Sequence, residues 1–157
     1  MAVIVIGVSL VAPHLKQFFR GRAVNDEARQ ILALMHQGQS RAISSGVPMV
    51  LWFDTTQKKY GLEEEPGYTD KDPNAVEFTL NENLKLEVPD SDSATAQLTS
   101  TSTDTQRAGL PQIIFLSDGG IAEGSPQTVR IIDNDGPSIS LNQLRERNEY
   151  EIATAKE

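Results

Sequence analysis

The chain opens with the uncharged stretch Met1-Ala-Val-Ile-Val-Ile-Gly-Val-Ser-Leu-Val-Ala12, followed by Pro13. A surface helix of a globular protein shows polar residues at helical spacing, but here Ser9 is the only one. The stretch is shorter than the roughly 20 apolar residues that cross a bilayer. It is therefore either a core helix of a soluble protein or the end of a longer apolar helix. Its unbroken β-branched character favours the second interpretation.

The apolar stretch and the residues just after it are predicted to form one segment, residues 1–22, that enters a membrane or a filament. Lys16, Arg20 and Arg22 form a small basic juncture at its end. We expect these long side chains to reach the lipid head groups while their stems lie along the apolar boundary. The predicted packing residues of this segment are Val3, Ile4, Val5, Ile6, Val8, Leu10, Val11 and Pro13.

The path of the backbone after this segment has two possible forms. Pro13 lacks a backbone donor and should kink or break a helix, and Gly21 is a second weak point. Asn25 or Asp26 is suited to cap a fresh helix. Otherwise a single helix continues through both points with a bend.

A clear helical period follows from residue 23 to residue 46. One face of this amphipathic helix is apolar and the other is polar. The predicted apolar face holds Val24, Ala28, Ile31, Leu32, Met35, Ala42 and Ile43, and the first five of these should seat the helix on a sheet. The predicted polar face holds Asp26, Arg29, Gln30, Gln37, Ser40, Arg41 and Ser44. Gly46 suits a left-handed cap, and Pro48 cannot continue the helix.

The remainder, residues 48–153, has the patterns of short strands. Residues 49–53 form an apolar run long enough for one buried strand, and the stretches at 76–80 and 84–88 alternate with a period of two. Residues 113–116 form another apolar strand before a glycine-rich turn. The turn at residues 133–136 predicts a hairpin, and Tyr150 and Ile152 indicate a last strand. Residues 91–106, rich in Ser and Thr, are predicted to form a long exposed loop.

The chain is thus predicted to divide into an apolar segment of residues 1–22 and a head of residues 23–157.

Charge and composition exclude several classes of chemistry. The formal net charge of −8 argues against broad nucleic-acid binding, which needs basic groups to neutralise phosphates. The absence of cysteine excludes disulfides, thiolate catalysis and Cys-ligated metals. His14 and His36 are the two histidines, and neither has a predicted partner for general-base chemistry. We expect no catalytic residues and no nucleic-acid partner.

No cofactor is predicted, and calcium is the metal with any support in the sequence. The acidic stretch 63–72 offers the oxygen ligands that hard cations prefer, but its spacing defines no cage. The turn 133–136 looks like the start of a calcium loop. Under that pattern, however, the first and last ligand positions would fall on Ile131 and Asn142, which do not fit. This second stretch is better read as a turn.

Taken in order, these segments resemble the GspH/FimT family of minor pseudopilins of type II secretion and type IV pilus systems. The resemblance lies in the apolar helix, the proline, the helix segments Ala28-Arg-Gln-Ile-Leu-Ala-Leu-Met35 and Gln39-Ser-Arg-Ala-Ile43, the strand ending Trp52-Phe-Asp54, and Phe115-Leu-Ser-Asp-Gly119. In that family a basic leader and a Phe-Thr-Leu-Ile-Glu start precede the rest of the apolar helix. This sequence begins inside that helix, so under the resemblance either the start is misassigned or the chain is truncated.

The resemblance implies an α+β fold, with a long N-terminal helix packed on antiparallel strands in two small sheets. It implies a non-enzymatic subunit that helps to initiate or cap a pseudopilus and so to export protein. The implied location is the bacterial inner membrane, in a single pass, with the head in the periplasm. The implied partners are other major and minor pseudopilins, the inner-membrane assembly platform, membrane lipid and a secreted substrate. Two alternatives remain: a FimT-type minor pilin that binds DNA for uptake, and a membrane-anchored hydrolase.

Overall fold

One helix and eight strands make up the described part of the chain in the computed structural model. The described residues are 3–68, 72–89, 109–134, 136–144 and 146–154, with the side chains of residues 3–20 left aside. The helix α1 is Val3–Ser45. The strands are β1 Met49–Asp54, β2 Lys59–Glu64, β3 Val76–Thr79, β4 Leu84–Glu87, β5 Gln112–Phe115, β6 Thr128–Asp133, β7 Ser138–Leu144 and β8 Glu149–Thr154. The α+β fold with two small antiparallel sheets, predicted above, is confirmed.

Helix α1 runs without interruption for 43 residues, through both Pro13 and Gly21. The fresh helix considered at Asn25 or Asp26 is therefore not formed, and the single continuous helix is the correct alternative. The Asn25 side-chain amide instead donates a hydrogen bond to the Gly21 carbonyl, 2.8 Å away, one turn earlier in the same helix. The helix ends as predicted, because Gly46 takes the left-handed backbone conformation (φ 71°) and donates to the Ala42 carbonyl.

The first sheet has the strand order β3-β2-β1-β5, with every pair antiparallel. Strand β1 is central and is covered on both faces, which explains why residues 49–53 form a continuous apolar run. Met49, Leu51 and Phe53 face the main core. Val50 and Trp52 face outward and pack with Ile114 in a smaller cluster, covered in part by Leu110, Leu116 and Ala122.

The second sheet has the order β4-β6-β7-β8, again antiparallel throughout. Its strands alternate between core and solvent, as β4 shows with Leu84 and Leu86 buried and Lys85 and Glu87 exposed. The predicted hairpin joins β6 to β7. The strand predicted around Tyr150 is β8, an edge strand of this sheet. The predicted loop at residues 91–106 lies outside the described residues.

The C-terminal half of α1 lies on both sheets, contacting β1, β2 and β5 of the first and β6, β7 and β8 of the second. One core results, in which helix residues pack with the inward side chains of both sheets. At Gly38 the helix comes so close that an added Cβ would lie 2.8 Å from Phe115 Cδ2 and 2.9 Å from Leu62 Cδ1. Glycine at this position therefore sets how near the helix approaches the first sheet.

Two glycine substitutions measure how much this close approach contributes to the free energy of unfolding. Gly38→Ala and Gly21→Ala gain the same helix propensity, but an added Cβ at Gly21 meets no atom within 4 Å. We expect the Gly38→Ala variant to have a free energy of unfolding about 1–3 kcal/mol lower than the Gly21→Ala variant, because of overpacking. Chemical denaturation of both variants measures this difference. Equal stabilities would show that the sheet yields to the extra methyl group.

Candidate assembly surface

Helix α1 divides into a face that holds the head and a face open to solvent. Of the residues predicted to seat the helix, Val24, Ala28, Ile31 and Met35 are buried, and Leu32 is partly buried against the core. Leu34, which the sequence pattern did not assign to this face, is also buried, at 5% exposure. The buried face is broader than one stripe because two sheets contact the helix.

The predicted membrane and filament residues lie where the structure describes the backbone and not the side chains. This concerns Val3, Ile4, Val5, Ile6, Val8, Leu10, Val11 and Pro13, all within the helical backbone of α1. The predictions for their side chains therefore fall outside the described residues, as does His14. Within the described residues, no helix is both long and apolar enough to cross a membrane.

The solvent face of α1 forms a stripe along the described part of the helix. Its exposed members recur at three- and four-residue steps and are Arg22, Asp26, Arg29, Ala33, His36, Gln37, Ser40, Ile43 and Ser44. The prediction that Ile43 belongs to the apolar, core-facing side is wrong, since its side chain is 57% exposed. Ala42, the neighbouring residue, takes the buried position in the last turn.

Arg41 connects the helix to the segment between β2 and β3. Its guanidinium donates to both carboxylate oxygens of Asp72, at 3.1 and 2.9 Å, and to the Asn74 carbonyl, and lies 4.0 Å from a Glu64 oxygen. The prediction that Arg41 faces solvent is wrong, because this pairing leaves its side chain 18% exposed. Nη2 makes both contacts with Asp72, while Nη1 donates to the Asn74 carbonyl, so the planar guanidinium holds the carboxylate and the backbone beside it at once.

Asp72 accepts more than the arginine pair. Its carboxylate also receives the backbone N–H groups of Glu64 and Asn74, at 3.0 and 2.8 Å. Burial alone would raise the pKa of Asp72. The hydrogen bonds from Asn74, Arg41 and Glu64, together with the charge of Arg41, outweigh burial and lower that pKa below its usual range.

Gln39 ties the helix to both sheets at once. Its side-chain amide nitrogen donates to the Gly119 carbonyl, at 2.7 Å, and to the Asn148 carbonyl, at 3.0 Å. Gly119 lies in the turn after β5 of the first sheet, and Asn148 lies in the turn between β7 and β8 of the second. Both residues have positive φ, 88° and 52°, so their carbonyls are presented from tight turns.

Two tyrosines complete the attachment of the head. The Tyr60 hydroxyl of β2 donates to a Glu27 carboxylate oxygen of α1, at 2.5 Å, and its ring stacks on Phe78. Burial, then the hydrogen bond with Glu27 and its negative charge, raises the pKa of Tyr60. The Tyr150 hydroxyl of β8 donates to the Pro126 carbonyl, and burial raises the pKa of Tyr150. Both side chains therefore act as neutral hydrogen-bond donors.

The polar side chains described above hold the head on the helix. No group of three or more His, Cys, Asp or Glu residues is placed there to hold a metal ion. In the acidic stretch considered for calcium, the Asp72 carboxylate is already engaged by Arg41, and residues 69–71 are not described. His36 lies on the exposed stripe of α1. The arrangement fastens a compact head to one half of a long helix and leaves a helix face open.

This architecture, a long N-terminal helix seated on two antiparallel sheets, defines the class of pilin-like proteins. The family described as type II transport protein GspH matches residues 27–144, which is most of the chain. The chain therefore belongs to the GspH family. That family includes minor pseudopilins and pilin-like subunits of type II secretion and type IV pilus systems, so the resemblance found in the sequence is confirmed.

Solved structures agree on the fold. Two structures of the minor pseudopilin EpsH from the type 2 secretion system of Vibrio cholerae align with TM-scores of 0.57 and 0.56. The EpsH sequence is 14% identical to this chain in both alignments, which cover 85% and 86% of this chain and 98% of EpsH. The type IV minor pilin FimU of Pseudomonas aeruginosa aligns with a TM-score of 0.57 at 10% identity, over 88% of this chain and 92% of FimU. A comparison with curated proteins found no match.

The Arg41–Asp72 pair gives a stability that depends on pH. Because the pKa of Asp72 is lowered in the folded state, its contribution is present above the unfolded pKa of about 3.9 and is lost as pH falls through the folded value. We expect Asp72→Asn to lower the free energy of unfolding by about 1–3 kcal/mol near neutral pH, and by less in acid. Denaturation of both proteins across this pH range measures the effect.

The exposed pair Lys59–Glu77 provides the control for this prediction. Its side chains are 37% and 44% exposed, and the nitrogen and oxygen lie 2.7 Å apart. Glu77→Gln should change stability by less than about 1 kcal/mol. A loss as large as that of Asp72→Asn would contradict the special role of the Arg41 pair.

The bridging role of Gln39 is tested by a second matched pair. Gln39→Ala removes both hydrogen bonds to the turn carbonyls, whereas Gln37→Ala alters an exposed residue of the same helix. We expect Gln39→Ala to be about 1–2 kcal/mol less stable than Gln37→Ala. Amide exchange should accelerate in both turns of the first variant. Unchanged exchange around Asn148 would show that the second sheet does not depend on this contact.

Proposed function

We propose that this chain is a non-enzymatic minor pseudopilin, a structural subunit that helps to initiate or cap the pseudopilus of a type II secretion machine. One observation carries the proposal: α1 begins at Val3, while its buried contacts with the head are described from Val24 to Ala42. About six turns of helix thus precede the first of these contacts. About the first three of these turns, up to Ala12, carry the apolar stretch, which supplies the chemistry of a stalk.

The proposed mechanism is mechanical. Before assembly, the apolar stalk of residues 3–11 lies in the inner membrane and the head lies in the periplasm. In the filament, the stalks of neighbouring subunits bundle together, and the heads face outward. Burial of apolar surface drives this packing, at about 25 cal/mol per Å². The contacts of Gln39, Arg41 and Tyr60 keep the head in one orientation on the helix while the stalk is transferred.

The proposed partners follow from this mechanism. Other major and minor pseudopilins contact the stalk and the exposed stripe of α1, and the inner-membrane platform delivers the subunit to the filament. Membrane lipid surrounds the stalk before assembly, with Lys16, Arg20 and Arg22 at the interface. A secreted protein is the proposed cargo of the machine. No cofactor takes part in this mechanism.

A second candidate is a minor pilin of a type IV pilus, which the likeness to FimU favours equally at the level of the fold. DNA uptake by such a subunit would need a basic outer surface. The net charge of −8 speaks against that role, since DNA binding depends on the neutralisation of phosphates. Export of protein is therefore the preferred function. The presence or loss of surface pili distinguishes the two candidates.

Deletion of the gene tests the proposal directly. We expect proteins that use type II export to decline in the medium and to accumulate in the periplasm, with recovery when the wild-type gene is restored. Quantitative proteomics of both fractions measures this. Loss of surface pili with normal export would support the type IV candidate instead. Unchanged export and unchanged pili would contradict both.

A substitution in the stalk separates its role from that of the head. Val8→Lys places a charge in the apolar stretch, which costs about 2.5–3.5 kcal/mol at the centre of a bilayer. We expect this variant to fail to restore export, whereas Gln57→Lys, at an exposed position in the turn between β1 and β2, serves as the control for an added charge. Membrane fractionation shows whether each variant is retained. Full export by the Val8→Lys variant would exclude the stalk mechanism.

A further inference from the structure

The edges of the two sheets are protected in two different ways in the part of the chain that the structure describes. The edge strands are β3 and β5 in the first sheet and β4 and β8 in the second. An edge strand presents backbone N–H and C=O groups that can pair with another chain, and charged side chains oppose such pairing. Three of these strands carry charges: Glu77 in β3, Lys85 and Glu87 in β4, and Glu149 and Glu151 in β8. Strand β5 carries none.

Strand β5, Gln112-Ile-Ile-Phe115, is the edge with the strongest tendency to pair. It is uncharged, it contains neither proline nor glycine, and most of its side chains are β-branched or aromatic. These are features of segments that associate through their backbones. Ile113 and Phe115 are buried in the main core and Ile114 in the smaller cluster. What β5 would offer to another chain is therefore its backbone edge.

The chain folds back over this edge directly after β5. The Ile114 N–H donates to the Ser125 hydroxyl, at 3.2 Å, and the Ile114 carbonyl accepts the Ala122 N–H, at 2.9 Å. Phe115 and Ile121 form an antiparallel bridge in the same region. Both backbone hydrogen-bonding groups of Ile114 are thus occupied from within the chain. We call residues 116–126 the β5 strap.

Other contacts hold the strap against the head. Its tight turn is closed by the Leu116 N–H, which donates to the Gly120 carbonyl at 2.8 Å. Ile121 packs against the main core, and Ala122 packs against the smaller cluster. Ser125 contributes through its side chain, so its hydrogen bond to β5 can be removed by a substitution that leaves the backbone donors and acceptors in place.

We propose that the β5 strap is a built-in cover that keeps the uncharged edge of β5 from pairing with β5 of a second copy of this chain. The charged strands oppose such pairing by themselves, whereas β5 depends on the strap. This inference goes beyond the proposed function, because it concerns unproductive pairing of free heads and does not depend on what the subunit assembles into.

Amide exchange tests whether the strap closes the edge. Ser125→Ala removes the acceptor of the Ile114 N–H, and Ser117→Ala is the matched control, the same substitution at an exposed position of the strap. We expect exchange of the Ile114 amide to be about fivefold faster in the first variant, in the full chain in detergent micelles, because one hydrogen bond is lost. Equal exchange in the two variants would overturn the role of Ser125.

Self-association tests what the strap prevents. The variant Ile121→Ala/Ser125→Ala loosens the strap at its core contact and at its hydrogen bond. We expect its association constant to be about tenfold higher than that of Ser117→Ala, because the groups of Ile114 become free to pair. Analytical ultracentrifugation of the full chain, with at most one chain per micelle, measures this. Near-ultraviolet circular dichroism of Trp52 verifies the fold, and Ser125→Ala alone is used if the double variant does not fold.

An added charge shows whether the association runs through β5. Gln112→Lys, placed in the loosened-strap variant, puts a charge on the edge strand and should restore the monomer. Gln57→Lys, in the exposed turn between β1 and β2, adds the same charge elsewhere and should not. Equal effects of the two lysines would overturn the proposal, as would a loosened-strap variant that associates no more than Ser117→Ala.

Discussion

The close approach of α1 to the first sheet is the constraint on which the rest of the head depends. Gly38 permits this approach, because a Cβ at that position would overlap Phe115 and Leu62. Once the helix lies this near, Phe115 and the turn after β5 come within reach of the next helix residue. The hydrophobic contact and the hydrogen bonds of Gln39 are therefore parts of one arrangement.

Three of the contacts that fasten the head lie within a single turn of the helix. Gly38 lies against the first sheet. Gln39 donates hydrogen bonds to a turn of the first sheet and to a turn of the second, and Arg41 pairs with Asp72 between β2 and β3. These three residues use different physical interactions: van der Waals packing, neutral hydrogen bonds and a charge-assisted pair. Tyr60 adds a second point of attachment, through Glu27, more than two turns earlier. Two separated points along the axis resist tilting of the head against the helix.

Much of the fold could be predicted because its signals are local. The period of two in β4 and the hairpin between β6 and β7 depend on neighbours in the sequence, and so does the Gly46 cap. The burial of Arg41 and Leu34 and the exposure of Ile43 depend on partners far away in the sequence. Asp72 is 31 residues from Arg41, and periodicity cannot show that a polar residue will be paired and half-buried. Likewise, a helix that contacts two sheets buries a wider face than one stripe, so Leu34 was missed.

The continuity of α1 has a consequence for how the head is oriented in any assembly. Because the helix is uninterrupted from Val3 to Ser45, the rotational phase of the stalk is transmitted directly to the head. One residue inserted between them would turn the head by about 100° and move it by about 1.5 Å. The number of residues between stalk and head is therefore itself a determinant of geometry, and insertions there should be tolerated far less than insertions in the connections between strands.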